Sequence, residues 1–262
     1  QVDSMDSTKL IIKPNVYSWR NITVGNAFEV AYQHLRSDES HMMKNTEWGA
    51  VAYLQHSIYG SRKSVRINNN SAYITGYAAT EEPTLGYNKE ESVEGNRVEG
   101  TALNADGTYT KRYNTEIGYL ASTTSNITGV YDMSGGAHEY VMGYNTAATT
   151  TGGASGITDF SAIEDKYYDK YTNSGSPYQN YNGRILGDAT GEMGPFGYET
   201  DPDGATRVRN SWYRDYASFA NSSNPWFYRG GAFSNGSYTG VFTFADNNGD
   251  TYHSTYRIVL TP

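Results

Sequence analysis

Few side chains in this 262-residue sequence are placed to do covalent chemistry. There is no cysteine, which excludes disulfides, thiolate metal sites and a thiol nucleophile. The histidines fall at 34, 41, 56, 138 and 253, and no two have the spacing that lets a pair of imidazoles on one helix face share a zinc ion. His138-Glu139 begins like a zinc-protease motif, but no second histidine follows at helical spacing, so the dipeptide is expected to pack rather than ligate. Asp246-Asn247-Asn248-Gly249-Asp250 sets oxygen ligands around a glycine. It lacks the distal glutamate of an EF-hand loop, and a turn or binding loop is the preferred reading. No cofactor is expected; calcium is the one ion the residue types leave open. Neither a Ser/His/Asp nucleophile signature nor a Gly-rich phosphate cradle is present.

The residue types suit recognition instead. The last stretch, Trp226 to Leu260, opens with Arg229-Gly230-Gly231 and closes with Tyr256-Arg257-Ile258-Val259-Leu260. Between these ends it alternates glycines and short polar residues with Phe233, Tyr238, Val241, Phe242 and Phe244. Too few positions are apolar for a core segment, and too many are bulky for a disordered tail. An exposed, glycine-punctuated surface held at both ends is expected. Composition agrees: apolar content is 37%, aromatic content 14%, with 25 tyrosines and 28 glycines. Tyrosine supplies contact area and a hydroxyl together, and Tyr, Gly, Ser and Asn dominate adaptable binding loops. The net charge of −8 argues against nucleic acid, which favours a basic face. Apolar runs such as Gly49 to Leu54 are too short to insert in a membrane. The chain begins at Gln1 with no charged-then-apolar signal segment, so a leader or anchor is expected to have been removed or left out.

A scaffold must present that surface. Residues 1–20 read as a tether or anchor-proximal segment containing a short strand near Leu10-Ile11-Ile12. Apolar residues at 24, 27, 28, 31, 32 and 35 predict a helix capped by Thr23. Trp48, Val51, Ala52 and Gln55 predict a second over 46–56. Asn104-Ala105-Asp106-Gly107 predicts a hairpin turn, residues 163–171 a short helix, 187–225 loops, and Asp201-Pro202-Asp203-Gly204 a turn. With no internal repeat and no clean linker, 21–262 is expected to be one loop-heavy α+β domain with few short helices and short antiparallel strands.

Three blocks carry a resemblance. Asn45-Thr46-Glu47-Trp48-Gly49-Ala50-Val51-Ala52 resembles the "PTEAEWEYAA" helix of formylglycine-generating-enzyme (sulfatase-modifying-factor) proteins, which have a C-type-lectin-like fold. Gly129-Val130-Tyr131-Asp132-Met133-Ser134-Gly135-Gly136-Ala137-His138-Glu139-Tyr140-Val141 is similar to "GLYDMSGNVWEWV", and Arg229-Gly230-Gly231-Ala232-Phe233 with Tyr256-Arg257-Ile258-Val259 to "RGGSW…GFRLV". The blocks occur in family order over roughly 20–262. The family's oxidation chemistry uses cysteines, so the resemblance implies the fold without that activity. Physically, Asp132 to Gly135 suits a tight turn with positive φ at Gly135. Arg229 and Arg257 are expected to pair with buried carboxylates such as Glu47 or Glu139.

The chain more narrowly resembles cysteine-poor variable proteins of diversity-generating retroelements, whose variable region corresponds to about 229–257. Adenine-directed mutagenesis of AAY codons does not yield Lys, Glu, Gln, Met or Trp. None of the five occurs from Arg229 to Pro262, against 36 in the first 228 residues. The resemblance implies a non-enzymatic, receptor- or adhesin-like protein displayed on a microbial or phage surface. It would bind an unknown protein or glycan, with a pilus or virion assembly partner also open. Expected contacts are Phe233, Ser234, Tyr238, Thr243, Ala245, Asp246, Asn247, Asp250, Thr251, Tyr252, His253 and Thr255. Tyr213, Arg214 and Tyr216 are expected as a flanking wall, and Val241 and Phe242 as scaffold. The alternatives are a structural pilus-tip or tail-fibre subunit and an unrecognised carbohydrate-active enzyme.

Overall fold

The computed structural model describes residues 10–79, 112–148, 156–157, 163–172, 183–194, 196–200, 204–210, 212–235, 239–251 and 254–261. Strand β2 (His138–Asn145) organises the mixed α+β fold. Along one edge it pairs antiparallel with β6 (Trp226–Arg229), which pairs antiparallel with β7 (Phe244–Asn247). It also takes two parallel partners in succession, β8 (Ser254–Tyr256) against residues 138–140 and β3 (Asp169–Tyr171) against 143–145. Purely antiparallel strands were expected. The parallel pairs arise because β3 and β8 each return from a long excursion, and no tight hairpin dictates their direction.

The period-2 alternation of β2 and β6 divides the core into two clusters. Tyr140, Met142, Tyr144, Trp226 and Tyr228 pack with helix α1 (Val24–His34), whose buried positions are Val24, Ala27, Phe28 and Ala31. Val141, Phe227 and Phe244 pack with helix α2 (Asn45–His56) through Trp48 and Ala52, and with Phe219, Val241 and Phe242. Each helix starts where its sequence provides a cap. Thr23 Oγ1 accepts from the Asn26 N–H at 3.2 Å, and the Glu47 carboxylate reaches back to the Lys44 N–H at 2.8 Å, satisfying donors that a helix start leaves open. Gly49 lets the 187–188 backbone lie directly on α2, since a Cβ there would stand 2.0 Å from the Gly187 carbonyl oxygen.

The ends of the domain close on each other. Strand β1 (His41–Met42) pairs antiparallel with β9 (Ile258–Val259), and the Thr261 N–H donates to the Asp38 carbonyl at 2.9 Å. A third helix, α3 (Glu116–Tyr119), is one turn long and capped by Thr115. Among the described residues no helix is long and apolar enough to cross a membrane.

Several expectations change. The described part of the expected tether lies on the domain: Asn15 and Ser18 N–H groups donate to Thr75 and Tyr73 carbonyls at 2.9 Å each. Within 163–171 the chain forms a 3-10 turn, Asp165–Tyr167, and then β3 rather than one helix. Tyr171 is drawn into the core against Phe219 and Phe227, and strand pairing overrides local propensity. The region read as loops, 187–225, contains an antiparallel hairpin of β4 (Phe196–Thr200) and β5 (Thr206–Asn210). The expected Asp201–Gly204 turn falls between these strands, with Gly204 at φ +80° and 201–203 outside the described residues. The hairpin expected around 104–107 also lies outside them.

The turn after Asp132 forms as the sequence implied. Gly135 has φ +78°, and a Cβ there would meet the Asn68 carbonyl oxygen at 2.5 Å. Gly135→Ala combines a left-handed backbone with a clash. It is expected to lower unfolding free energy by at least about 1–2 kcal/mol, measurable as a lower urea midpoint.

Candidate ligand-binding groove

The terminal stretch is clamped at four places. Arg229 is fully buried. Its Nη1 donates to Asn45 Oδ1 at 3.2 Å and to the Asp188 carbonyl at 3.3 Å, and its Nη2 to the Ala189 carbonyl at 3.3 Å. Arg229 thus holds carbonyls rather than the carboxylate expected of it; burial pushes its guanidinium down to about 10. Immediately downstream, the Gly230 carbonyl accepts from Gly135 and the Phe233 N–H donates to the Gly136 carbonyl. In the middle, Trp48 Nε1 donates to the Val241 carbonyl at 2.8 Å, and the Phe242 N–H donates to Asp215 Oδ2 at 3.1 Å. The Tyr140 hydroxyl then ties Asn247 Oδ1 (2.6 Å) to the Asp250 carbonyl (2.9 Å). At the far end Arg257 grips Glu139 with two bonds, Nη2–Oε1 at 2.7 Å and Nε–Oε2 at 3.0 Å. That pairing is the one foreseen for Arg257, whereas Glu47 bonds His41 Nε2 at 3.0 Å instead.

Between the clamps an open groove of about 380 Å3 lies against the β4–β5 hairpin. One wall is Thr206, Arg207, Val208 and Tyr198 of the hairpin together with Tyr216; the other is Gly231, Asn235, Thr243, Ala245 and His138. The His138 ring stacks on Tyr228, with centroids 5.0 Å apart and planes 17° apart, so it packs as expected and also lines the groove.

The expected contact residues divide. Thr243 and Ala245 meet in the groove with Tyr216. Phe233 lies beyond the Gly231 and Asn235 wall, edge-on to Tyr73 at 5.0 Å, and Ser234 and Thr251 are exposed. Asp246 is an internal brace: its carboxylate accepts from Ser218, from Asn221 (2.8 Å) and from Asn224 (2.9 Å). Asn247 and Asp250 belong to the Tyr140 tie, and Thr255 is buried in β8. Tyr238, Tyr252 and His253 lie outside the described residues. In the expected flanking wall Tyr213 is partly buried and packs against the core, stacked on Phe242 at 4.5 Å. Arg214 holds Glu199, through Nε at 2.8 Å and through Nη2. Val241 and Phe242 are buried scaffold, as expected. Tyr198, Arg207 and Asn235 were not anticipated. The alternating run Phe196 to Asn210 around Asp201-Pro202-Asp203-Gly204 is the signal that points to the hairpin carrying the first two.

The side-chain oxygens of Asp246, Asn247 and Asn248 are taken up by bonds within the protein. Asn247 Oδ1 also accepts from the Gly249 N–H and Asn248 Oδ1 from the Asp250 N–H. Among the described residues no three His, Asp or Glu side chains converge on a common point.

Burial pushes the Asp215 carboxyl up to about 7, against the pull of the Phe242 N–H, Arg209 and Arg229. The folded protein therefore keeps this proton in a pH range where the unfolded chain, with an ordinary carboxyl, has lost it. Stability from this group is greatest near pH 4, falls as pH rises toward about 7 and is level above that. Melting midpoints are expected to be higher at pH 5 than at pH 8, with Asp215→Asn flattening the slope. A wild-type midpoint that rises over this range would contradict the assignment.

Comparison with models of known protein families and with characterised proteins gives no match to this chain.

Proposed function

We propose that this protein is a non-enzymatic ligand-recognition domain. On this reading its scaffold is C-type-lectin-like, of the formylglycine-generating-enzyme type, and its terminal stretch is a surface varied by a diversity-generating retroelement and displayed outside a microbial cell or phage particle. The supporting observation is the division of labour within 229–257. Residues at the family-like positions, Arg229, Gly230 and Arg257, are spent on internal bonds, while between them the partly exposed Asn235 and Ala245 line an open groove over the buried Thr243. The absence of Lys, Glu, Gln, Met and Trp from Arg229 onward fits a stretch varied through AAY codons. The test is the flanking DNA. A near-identical template repeat whose differences fall at adenines, beside a reverse transcriptase, is expected; finding neither sinks the retroelement part.

The enzymatic alternative gains less support. A second cavity, of about 510 Å3, contains Glu47 and Glu139, but both carboxylates are engaged, by His41 and the Lys44 N–H and by Arg257 respectively. A pair working as general acid and base must be able to exchange protons with a substrate. As a pilus-tip or tail-fibre subunit, the chain would use the same groove for an assembly contact. Substituting Tyr198 then separates the readings: loss of self-assembly with foreign binding intact favours the structural role.

A further inference from the structure

We propose that Arg20, Tyr73 and Phe233 form a patch that takes a protein segment bearing a carboxylate. This rests on reading the terminal stretch as the ligand-binding surface and extends that surface onto the scaffold. The Arg20 guanidinium lies over the Tyr73 ring, 3.9 Å from its centroid. The Phe233 ring meets the same ring edge-on, with centroids 5.0 Å apart and planes at 81°. All three residues are partly exposed, and the chain neighbours Ala72 and Ser234 are exposed.

Charge is the first argument. With 28 Asp and Glu and a net charge of −8, the chain has carboxylates to spare for its arginines. Arg214 and Arg257 each hold one, on Glu199 and Glu139. Arg20 holds none: among the described residues its guanidinium has no hydrogen-bond or ion-pair partner, and its contact is the Tyr73 face. A guanidinium lying on a ring keeps its N–H donors, which point outward in its own plane, and that fork matches a carboxylate.

The patch is held in place before any ligand arrives. The Tyr73 carbonyl accepts from the Ser18 N–H, and the Tyr73 N–H donates to the Asn70 carbonyl, at 2.9 Å each. Asn70 Oδ1 accepts from the Ala72 N–H at 2.9 Å. Tyr73 itself sits at φ +59°, a left-handed backbone that bulky residues rarely adopt. Glycine or asparagine would suit this turn with less strain; tyrosine places a ring under Arg20 instead, and strain of this kind gathers at ligand clamps. The Phe233 N–H donates to the Gly136 carbonyl at 2.8 Å, and the Gly136 N–H to the Asn68 carbonyl at 2.7 Å. The Phe233 segment and the 68–73 turn thus share one base.

The residue types select a protein partner. None of the three lines the groove, so the contact is made on open surface, where small molecules gain little burial. Arginine and aromatic side chains are enriched at protein interfaces and among their strongest contacts. Phenylalanine offers a partner only apolar contact, which suits a carboxylate flanked by an apolar side chain. In copies varied at 233, Arg20 and Tyr73 stay constant: the scaffold supplies the charge and the varied position the fit.

The experiment selects phage-displayed random twelve-residue peptides on the whole chain, then titrates the enriched peptides calorimetrically. They are expected to carry Asp or Glu beside an apolar residue. Arg20→Gln, Phe233→Ala, and replacing the peptide's carboxylate by its amide should each weaken binding at least ten-fold. On Arg20→Gln the amide replacement should cost nothing further, a coupling that a merely structural arginine would not show. Arg20→Lys should restore only part, and melting midpoints should not move. Arg36→Gln, which removes a similar stack on Tyr32 at 3.9 Å, should leave binding unchanged. Selection on Phe233→Asn should return different peptides that are still acidic. Binders lost on Phe233→Ala but not on Arg20→Gln leave the terminal stretch as the ligand surface and overturn the Arg20 patch. Binders indifferent to both overturn the proposal together with the terminal-surface reading. Binders without acidic residues, or no binders at all, overturn the proposal, and the terminal-surface reading then rests on the flanking DNA. If sialyllactose binds in place of any peptide and Arg20→Gln abolishes it, the protein assignment is overturned in favour of an anionic saccharide.

Discussion

Arg229→Met is expected to cost about 4 kcal/mol or more, a large share of the roughly 5–15 kcal/mol that holds a folded domain. The guanidinium is fully buried and reaches Asn45 Oδ1, the Asp188 carbonyl and the Ala189 carbonyl. Methionine fills much of the volume but donates nothing, and each buried acceptor left without a donor costs about 1–3 kcal/mol. The damage spreads because Asn45 also donates to the Tyr171 hydroxyl at 2.7 Å, which donates to Asp188 Oδ2 at 2.7 Å. A network of this kind holds α2, β3 and β6 in one register, and losing its central donor loosens all three. Arg229→Lys keeps the charge but cannot span both carbonyls, so partial recovery is expected. Urea unfolding measures the difference; a methionine variant with the wild-type midpoint would show that other donors satisfy the three acceptors.

Arg257→Met should be nearly as severe, but only at neutral to alkaline pH. Glu139 is 5% exposed and both its oxygens are taken by Arg257. Burial pushes this carboxyl up to about 7, with Arg257 pulling the other way. Removing the arginine raises it further, so the charge penalty grows by about 1.4 kcal/mol for each pH unit above about 7, toward the roughly 3–5 kcal/mol of an uncompensated buried charge. Below the raised pKa the carboxyl takes a proton and the charge disappears. The deficit relative to wild type is therefore expected to grow steadily from pH 7 to pH 9 and to shrink at pH 5.5. Glu139→Gln in the same background should recover stability at pH 8. A deficit independent of pH would show that packing of the arginine stem, rather than charge, carries the interaction.

Legibility followed the physics of each feature. The two long helices were readable because burial repeats at helical spacing: 24, 27, 28 and 31 in α1 and 45, 48, 49, 52 and 55 in α2 are the buried positions. The tight turn at Gly135 was readable because few residues accept its φ. The partner of Arg257 was within reach, since an arginine and a glutamate in apolar surroundings have few other neutralising options. Arg229 was not, because its partners are carbonyls, which every residue carries and no sequence distinguishes. Strand β3 was missed because three residues are too short for a period. The internal bonds of Asp246 and Asn247, expected as contacts, were not legible for a related reason: the polar side chains that secure a loop internally are the same types that would greet a ligand. Their bonds go to Ser218, Asn221, Asn224 and Tyr140, remote positions that only the folded chain brings near.

The pairing of β1 with β9 and of β8 with the start of β2 bears on how the protein is made. The central sheet lacks a strand, and Glu139 lacks its counter-charge, until residues 254–259 have left the ribosome. Contacts so distant in sequence form slowly. A premature stop or a frameshift between Arg229 and Arg257 removes Arg257 and β9 together. Such a product never acquires its native sheet and is open to proteolysis, so the chain's own topology acts as an inspection step against truncated copies.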